Sequence, residues 1–316
     1  APAQAWIGYE LCTVEGSFGD LRCNWIGGAD ADRDGHGSLF IEESGTYRFR
    51  LSPSWDYSGP AIATTVLTVE IEVGGSGALS VSGLSANSSG RYVMRFDSPN
   101  VIGTLLYPDD GSDLAGTPVE DTWVEVTKWD TGFGLYEWNS DIEGTRIERD
   151  GEFALALPAG DYRVRFQAQG GYATRTLYVH VDSASKACVG ELAESDLNEL
   201  GLAPAVGFTC SSAATFYGMT LELPNVQGVL LAGLDPVAWG HINIESWSSD
   251  GYWQWSGTWM NTDEDGRFAS KLESNGAYKL NFEPPWDSTE YARTTKYLVV
   301  CSNGSEVAYA SSQSVA

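Results

Sequence analysis

Three stretches of this chain repeat one another, and their spacing limits the fold more than any other feature. Residues 251–287, GYWQWSGTWMNTDEDGRFASKLESNGAYKLNFEPPWD, alternate aromatics around Trp253, Trp255 and Trp259 and turn at Asp263, Glu264, Asp265 and Gly266. They turn again at Asn275 and Gly276 before Tyr278, Leu280 and Phe282. Alternate residues share one face of a strand, and Asp-Gly and Asn-Gly supply the positive φ of tight turns, so the stretch reads strand, turn, strand, turn, strand. GHGSLFIEESGTYRFRLSPSWD (35–56) and GEFALALPAGDYRVRFQAQGGY (151–172) match GRFASKLESNGAYKLNFEPPWD (266–287). The Gly-x-Tyr elements, Gly45 and Tyr47, Gly160 and Tyr162, Gly276 and Tyr278, lie 115 and 116 residues apart. That period is too long for a solenoid and suits tandem sandwich domains. Each copy closes with a β-branched strand: TTVLTVEIEV (64–73), TRTLYVHV (174–181) and TTKYLVV (294–300).

The opening strands repeat as well. SPNVIGTLLYPDDGSDLAGTPVEDTWVEV (98–126) matches LPNVQGVLLAGLDPVAWGHINI (223–244), with Pro99 and Pro224 at the entries. This Pro-Asn-Val element precedes the Gly-x-Tyr glycine by 61 and 52 residues, whereas copy one has 44 residues before Gly45. AQAWIGYEL (3–11) matches the second strand, DTWVEVTKW (121–129), so copy one starts one strand late. The expected fold is all-β: three tandem Ig-like or transthyretin-like β-sandwich domains, the first lacking its N-terminal strand. The expected boundaries are 1–73 for copy one, 74–97 for an ordered inter-copy segment and 98–182 for copy two. A second inter-copy segment follows at 183–215, copy three at 216–300, and the start of a further inter-copy segment at 301–316. The inter-copy segments end in comparable strands, RYVMRF and FYGMTLEL, which argues against floppy linkers. ELAESDLNELG (191–201) is a short acidic helix or turn candidate.

A formal charge of −25, from 43 acidic and 18 basic residues, repels phosphate backbones, so nucleic acid is excluded as a partner. No apolar run approaches a membrane span, and no membrane insertion is expected. Cys12 with Cys23 and Cys188 with Cys210 bracket short loops that disulfides can close, leaving Cys301 over; this pattern indicates an oxidising, extracellular or cell-surface compartment. The alternative is five buried thiols.

The order of these elements, a Gly-containing apolar strand, the loop PDDGSDLAGTPV (108–119), then W-V-E-V, R-D-G-E-F (149–153) and P-A-G-D-Y-R-V (158–164), resembles the carboxypeptidase regulatory-like domain family. The resemblance implies a transthyretin-like or prealbumin-like sandwich, often repeated in tandem in bacterial extracellular or surface proteins. It covers copies two and three and copy one from Ala5. Such sandwiches serve as spacer, adhesin stalk or enzyme accessory domain, so the resemblance fixes fold more than function. Related repeats carry a Lys–Asn isopeptide link from the first strand; neither VIGTLLYP nor VQGVLLAG contains Lys, so no such link is expected.

Catalysis requires a nucleophile with a base, a metal, or two carboxylates held apart in pKa. His36, His180 and His241 fall one per copy at unmatched positions, and no nucleophile elbow, zinc-binding or phosphate-loop motif is present. No catalytic residue and no required cofactor is expected. Asp30, Asp32 and Asp34 before Gly35 reproduce the first half of a calcium loop, yet Ile41 stands where the closing bidentate Glu belongs. They are either a calcium site or a solvated acidic turn. Trp253, Trp255 and Trp259 share parity and form a candidate platform for stacking on sugars. Trp129, Tyr136 and Trp138 occupy the comparable hairpin of copy two, while Cys12 and Cys23 stand near those places in copy one, which favours packing over recognition. Asn87 and Asn303 begin N-glycosylation triplets.

The expected function is therefore structural: an extracellular stalk, fibre or surface-layer subunit whose partners are copies of itself or further repeats. Its first module is completed either by preceding chain or by a neighbour's strand. The alternatives are a glycan-binding adhesin module, or an accessory region of a secreted hydrolase.

Overall fold

A computed structural model describes residues 4–15, 20–54, 62–75, 78–120, 122–132, 135–139, 141–147, 150–167, 171–190, 209–210, 215–272, 275–285, 292–301 and 307–310. The protein is all-β, with no helix among the described residues. The acidic candidate 191–201 and Asn303 lie outside those residues. Contacts divide the chain into two compact units, Ala1–Leu105 with Pro118–Val164 and Thr176–Met219, and Leu106–Thr117 with Arg165–Arg175 and Thr220–Ala316. This division does not follow the borders of the three copies.

In copy one, β1 (Ala5–Glu15), β2 (Asp20–Ala31), β3 (Gly45–Pro53), β4 (Thr65–Val73) and β5 (Leu79–Val81) form one sheet in the order β2-β1-β3-β4-β5. Alternation sends Tyr9, Tyr47, Phe49, Val69 and Ile71 to one face, where Ile7, Leu39, Ile41, Leu84 and Met94 pack against them.

Copy two supplies β6 (Val101–Leu106), β7 (Trp123–Asp130), β8 (Leu135–Glu137), β9 (Thr145–Arg146), β10 (Glu152–Leu155), β11 (Gly160–Phe166) and β12 (Arg175–Val181). The following segment adds β13 (Ala187–Gly190), β14 (Thr209–Cys210) and β15 (Thr215–Thr220). They make a large sheet, β14-β13-β12-β11-β7-β8 with β9 on β7, and a second layer, β10-β6-β15.

Copy three comprises β16 (Val226–Val229), a ribbon of β17 (Leu231–Ala232) and β18 (Asp235–Pro236), β19 (His241–Trp247), β20 (Trp253–Asn261), β21 (Arg267–Ser270), β22 (Ala277–Glu283), β23 (Thr294–Val300) and β24 (Val307–Ala310). Its main sheet runs β20-β19-β22-β23-β24, and β16 pairs with β21. One cluster spans both layers, from Val226 and Leu272 to Ile242, Ile244, Leu280 and Leu298.

The repeated residues perform repeated tasks. Gly35, Gly151 and Gly266 adopt φ of 73°, 74° and 72° in the same turn, a conformation that excludes most side chains. The tyrosine of Gly-x-Tyr donates its hydroxyl to the carbonyl four residues back, Tyr47 to Glu43 at 2.9 Å and Tyr162 to Pro158 at 2.8 Å. The asparagine of Pro-Asn-Val clamps the neighbouring segment. Asn100 Nδ2 donates to Leu157 O at 2.8 Å and its Oδ1 accepts from Leu157 N at 3.0 Å. Asn225 makes the same pair with Leu272, at 2.7 and 2.8 Å.

Copy one has no such strand. Residues 37–42, the counterpart of β10 and β21, have no strand partner among the described residues. A disulfide joins Cys12 to Cys23 across β1 and β2. Cys188 is also disulfide-bonded, and its register partner is Cys210; Cys301 is free.

Burial first, and Asp161 second, push the Tyr162 hydroxyl up to about 12. A phenol raised from 10.0 favours the folded state below that value, and this contribution is lost as pH rises from 10.0 towards about 12. Tyr162→Phe is expected to lower stability by about 1 kcal/mol at neutral pH through the lost hydrogen bond. It should also flatten the alkaline fall, as read by urea unfolding at pH 7 and 11.

Candidate functional site

Each main sheet has an outer face, turned from the sandwich core, and equal register places a cation there: Arg48 on β3, Arg163 on β11 and Lys279 on β22. In the first unit Arg48, only 3% exposed, lies 3.7 Å from Glu10 and 3.3 Å from Asp141. Arg50 bridges Glu10 at 3.4 Å and pairs with Glu143, and its guanidinium sits 6.0 Å from the Trp138 ring centre. Sheet one and the 138–143 excursion of copy two thus share a charged, largely buried junction. Arg163 caps the aromatic cluster of copy two, 5.5 Å from the Tyr136 ring, which meets Trp129 at 5.0 Å and buried Tyr178 at 5.6 Å. In the second unit Arg165 donates to Trp259 O at 3.3 Å and lies 5.8 Å from its ring centre.

The outer face of the third sheet is the remaining candidate. Trp253 is opposite Trp247, Trp255 opposite Glu245 and Trp259 opposite Asn243, so all three predicted tryptophans share this face despite a register shift at Ile244. Ile242 and Ile244 point the other way into the core. Lys279 Nζ contacts both Glu245 oxygens at 2.9 Å, Asn281 donates to Glu245 at 2.6 Å, and Thr295 donates to Asn281 at 3.0 Å. Trp253 packs edge-on against Trp247 at 5.1 Å and against Tyr297 at 5.5 Å. Trp255 is 57% and Trp247 48% exposed, whereas Trp259 is held between His241 and Arg165. Trp247 escaped the sequence reading because it sits on the preceding strand; its pairing with Trp253 was visible only through the hairpin register.

That register explains the cysteines of copy one. Cys12 with Cys23, Trp129 with Tyr136, and Trp247 with Trp253 are equivalent cross-strand pairs. A covalent bond stands where the other copies pack two rings. Trp25, equivalent to Trp255, stacks on Trp6 at 5.4 Å and remains 54% exposed.

Asp30, Asp32 and Asp34 do not converge. Asp32 Oδ1 accepts from the amides of Asp34 and His36, each at 2.9 Å, and Asp263 does the same for Asp265 and Arg267 in copy three. The Asp32 carboxyl is held below its usual range by the His36 amide, with the Asp34 amide assisting against desolvation. Among the described residues no three acidic, His or Cys side chains form a metal-binding group. The carboxylates therefore cap a hairpin turn instead of facing a common cation. Asn87 likewise folds its own turn, accepting from Ser89 and Arg91, and is exposed. His180 pairs with Asp161 at 2.7 Å and His241 with Asn261 and Asn243, each without a nucleophile beside it in these contacts.

No protein-family model matches the sequence, that of the carboxypeptidase regulatory-like domain included, and no curated protein matches it. Among solved structures, the chain is similar to the pilus adhesin SpaC from Lactobacillus rhamnosus GG, with 13% identity and a TM-score of 0.26 over 98% of this chain and 38% of that one. The open conformation of SpaC gives 11% identity and a TM-score of 0.27, over 98% and 37%. A tetra-tandem repeat in the extending region of a large adhesion protein gives 11% and 0.16, over 99% of this chain and 68% of that one. The chain thus spans well under half the length of SpaC.

Glu10→Ala leaves Arg48 and Arg50 without their common carboxylate in a poorly hydrated place. A loss of about 3 kcal/mol in chemical unfolding is expected. Replacing the pair together, Glu10→Leu with Arg48→Met, should restore most of it; a single-mutant loss below about 0.5 kcal/mol would show that these charges remain solvated.

Proposed function

We propose that this chain is a non-enzymatic extracellular structural protein, a run of like sandwich modules acting as a stalk, fibre or surface-layer subunit. The junction in the first unit carries the reading. Arg48 and Arg50 of copy one meet Asp141, Glu143 and Trp138 of copy two through buried, directional contacts, which oppose free swivelling where a flexible linker permits it. The segment between these copies is tied down as well: β5 extends sheet one, while Leu84 and Met94 pack on its core. Two disulfide-bonded positions support an oxidising location, and the net charge of −25 supports solubility of a long array. Function then resides in length and stiffness, the partners are further copies or repeats, and no cofactor is required. Immunogold labelling of the producing cells is expected to decorate external filaments or a surface layer; label confined to the cell interior would overturn this.

A second reading, a glycan-binding adhesin face, is supported by the exposed rings of Trp247 and Trp255 beside the Glu245, Lys279 and Asn281 cluster. The structural reading expects tryptophan fluorescence to stay unchanged across a broad panel of soluble glycans. A saturable shift that disappears in Trp255→Ala would establish the second reading instead.

A further inference from the structure

We propose that residues 37–41 of copy one form an acceptor edge for a β-strand supplied by a separate polypeptide, a strand that begins with asparagine and alternates apolar residues. The proposal rests on reading the chain as a series of like modules, because copies two and three show what covers this edge. There, Asn100 and Asn225 donate their main-chain N–H groups to Leu155 O at 3.0 Å and Ser270 O at 3.1 Å, and their side chains clamp Leu157 and Leu272. At the far end Leu105 donates to Gly151 O and Leu230 to Gly266 O. The positions of Gly151, Leu155 and Leu157 are held in copy one by Gly35, Leu39 and Ile41. The same carbonyls and amides are presented there, with no strand beside them among the described residues.

Burial shows the matching deficit. Leu155, Leu157 and Leu272 are at most 5% exposed, and Val124 and Ile242 are 0% exposed. Their counterparts Leu39, Ile41 and Ile7 are only half-buried, and Phe40 is 75% exposed. The other flank is also open. In copy two β6 lies between β10 and β15, whereas the copy-one counterpart of β15, residues 91–96, makes only an isolated bridge at Tyr92 and leaves Val93 41% exposed. A strand between these two segments gains main-chain partners on both sides and covers apolar surface, the terms that drive strand addition.

The edge also specifies its occupant. In copies two and three the third residue after the asparagine is glycine, opposite a phenylalanine: Gly103 opposite Phe153 and Gly228 opposite Phe268. A Cβ at Gly228 would come within 2.7 Å of the Phe268 ring. Copy one has Gly37 at the phenylalanine position, with Ile7 Cδ1 beneath it at the distance of a tight contact. The incoming strand therefore takes a Val or Ile where the internal strands require Gly, covering Ile7. Asp32 and Asp34 at one end of the edge, and Glu42 and Glu43 at the other, favour Lys or Arg at the ends of that strand.

The test uses the full chain and synthetic peptides based on residues 99–106 with a lysine at each end, labelled for fluorescence anisotropy. The Gly103→Val peptide is expected to bind one to one and more tightly than the Gly103 peptide. Adding Asn100→Ala to the Gly103→Val peptide should weaken binding at least roughly tenfold, since two hydrogen bonds are lost. In the protein, Ile41→Pro removes the N–H that the asparagine oxygen accepts and is expected to abolish binding while circular dichroism stays unchanged. Because the peptide variants leave the protein untouched, a misfolded Ile41→Pro chain does not rescue the idea. Absence of binding at millimolar peptide, equal binding of the Asn and Ala peptides, or a stable dimer of the chain that peptide cannot dissociate would each overturn it. None of these outcomes bears on the surface labelling, so the structural reading and the acceptor edge fail separately.

Discussion

The side-chain amide of Asn100, like that of Asn225, is the tie on which the second layer depends. A layer of two or three short strands cannot be fixed by ladder bonds alone, because β10 and β21 contribute four residues each. The clamp on Leu157 and Leu272 extends pairing past the last ladder residue and holds the chain at its exit towards the Gly-x-Tyr strand. With that exit held, the buried leucines fall opposite the tyrosine and valines of β11 or the leucine of β22, and the core closes. The proline before each asparagine removes a donor that would have no partner at the strand's entry.

Much of this was legible in the sequence because it is periodic. Gly-x-Tyr, Pro-Asn-Val and the acidic turn recur at fixed spacing, and alternation within each strand assigns the inner face without any tertiary knowledge. The pairing of Cys12 with Cys23 was legible for the same reason, since the cysteines stand at the two rungs where other copies place aromatic rings. The outer faces were not legible. Arg48 and Arg50 meet Asp141 and Glu143 across more than ninety residues, and no local pattern records such a pairing. The Asp30, Asp32 and Asp34 series looked like half a calcium loop because a ligand loop and a capped turn use the same residues. What separates them is the Asp32 carboxylate, which is already occupied by two main-chain amides.

The three outer faces use one scaffold for different ends. Equal register puts a cation beside a hairpin ring or carboxylate in every copy, yet Arg48 is buried under a second copy, Arg163 under its own aromatic cluster, and Lys279 stays beside exposed tryptophans. Cross-strand ring pairs contribute a few tenths to about one kcal/mol each, so replacing one by a disulfide in copy one adds constraint at a place where packing is thin. Copy one is also the module whose second layer is incomplete, and a covalent rung on β1 and β2 offsets part of that loss.

Charge placement sharpens the contrast between strength and specificity. The chain has only 18 basic residues against 43 acidic ones, and Arg48, Arg50, Arg163 and Arg165 are spent on buried or half-buried outer faces instead of on solubility. Buried ion pairs add little net stability over apolar packing of the same volume, but a misplaced one is costly because an unpaired charge cannot be left dry. An apolar joint would hold modules as firmly and tolerate sliding or twisting. A joint in which two guanidinium groups must find Glu10, Asp141 and Glu143 together accepts one register and rejects its neighbours. For a protein whose use lies in repeating a geometry faithfully, rejection of wrong registers matters more than the extra stability that a greasy contact would supply.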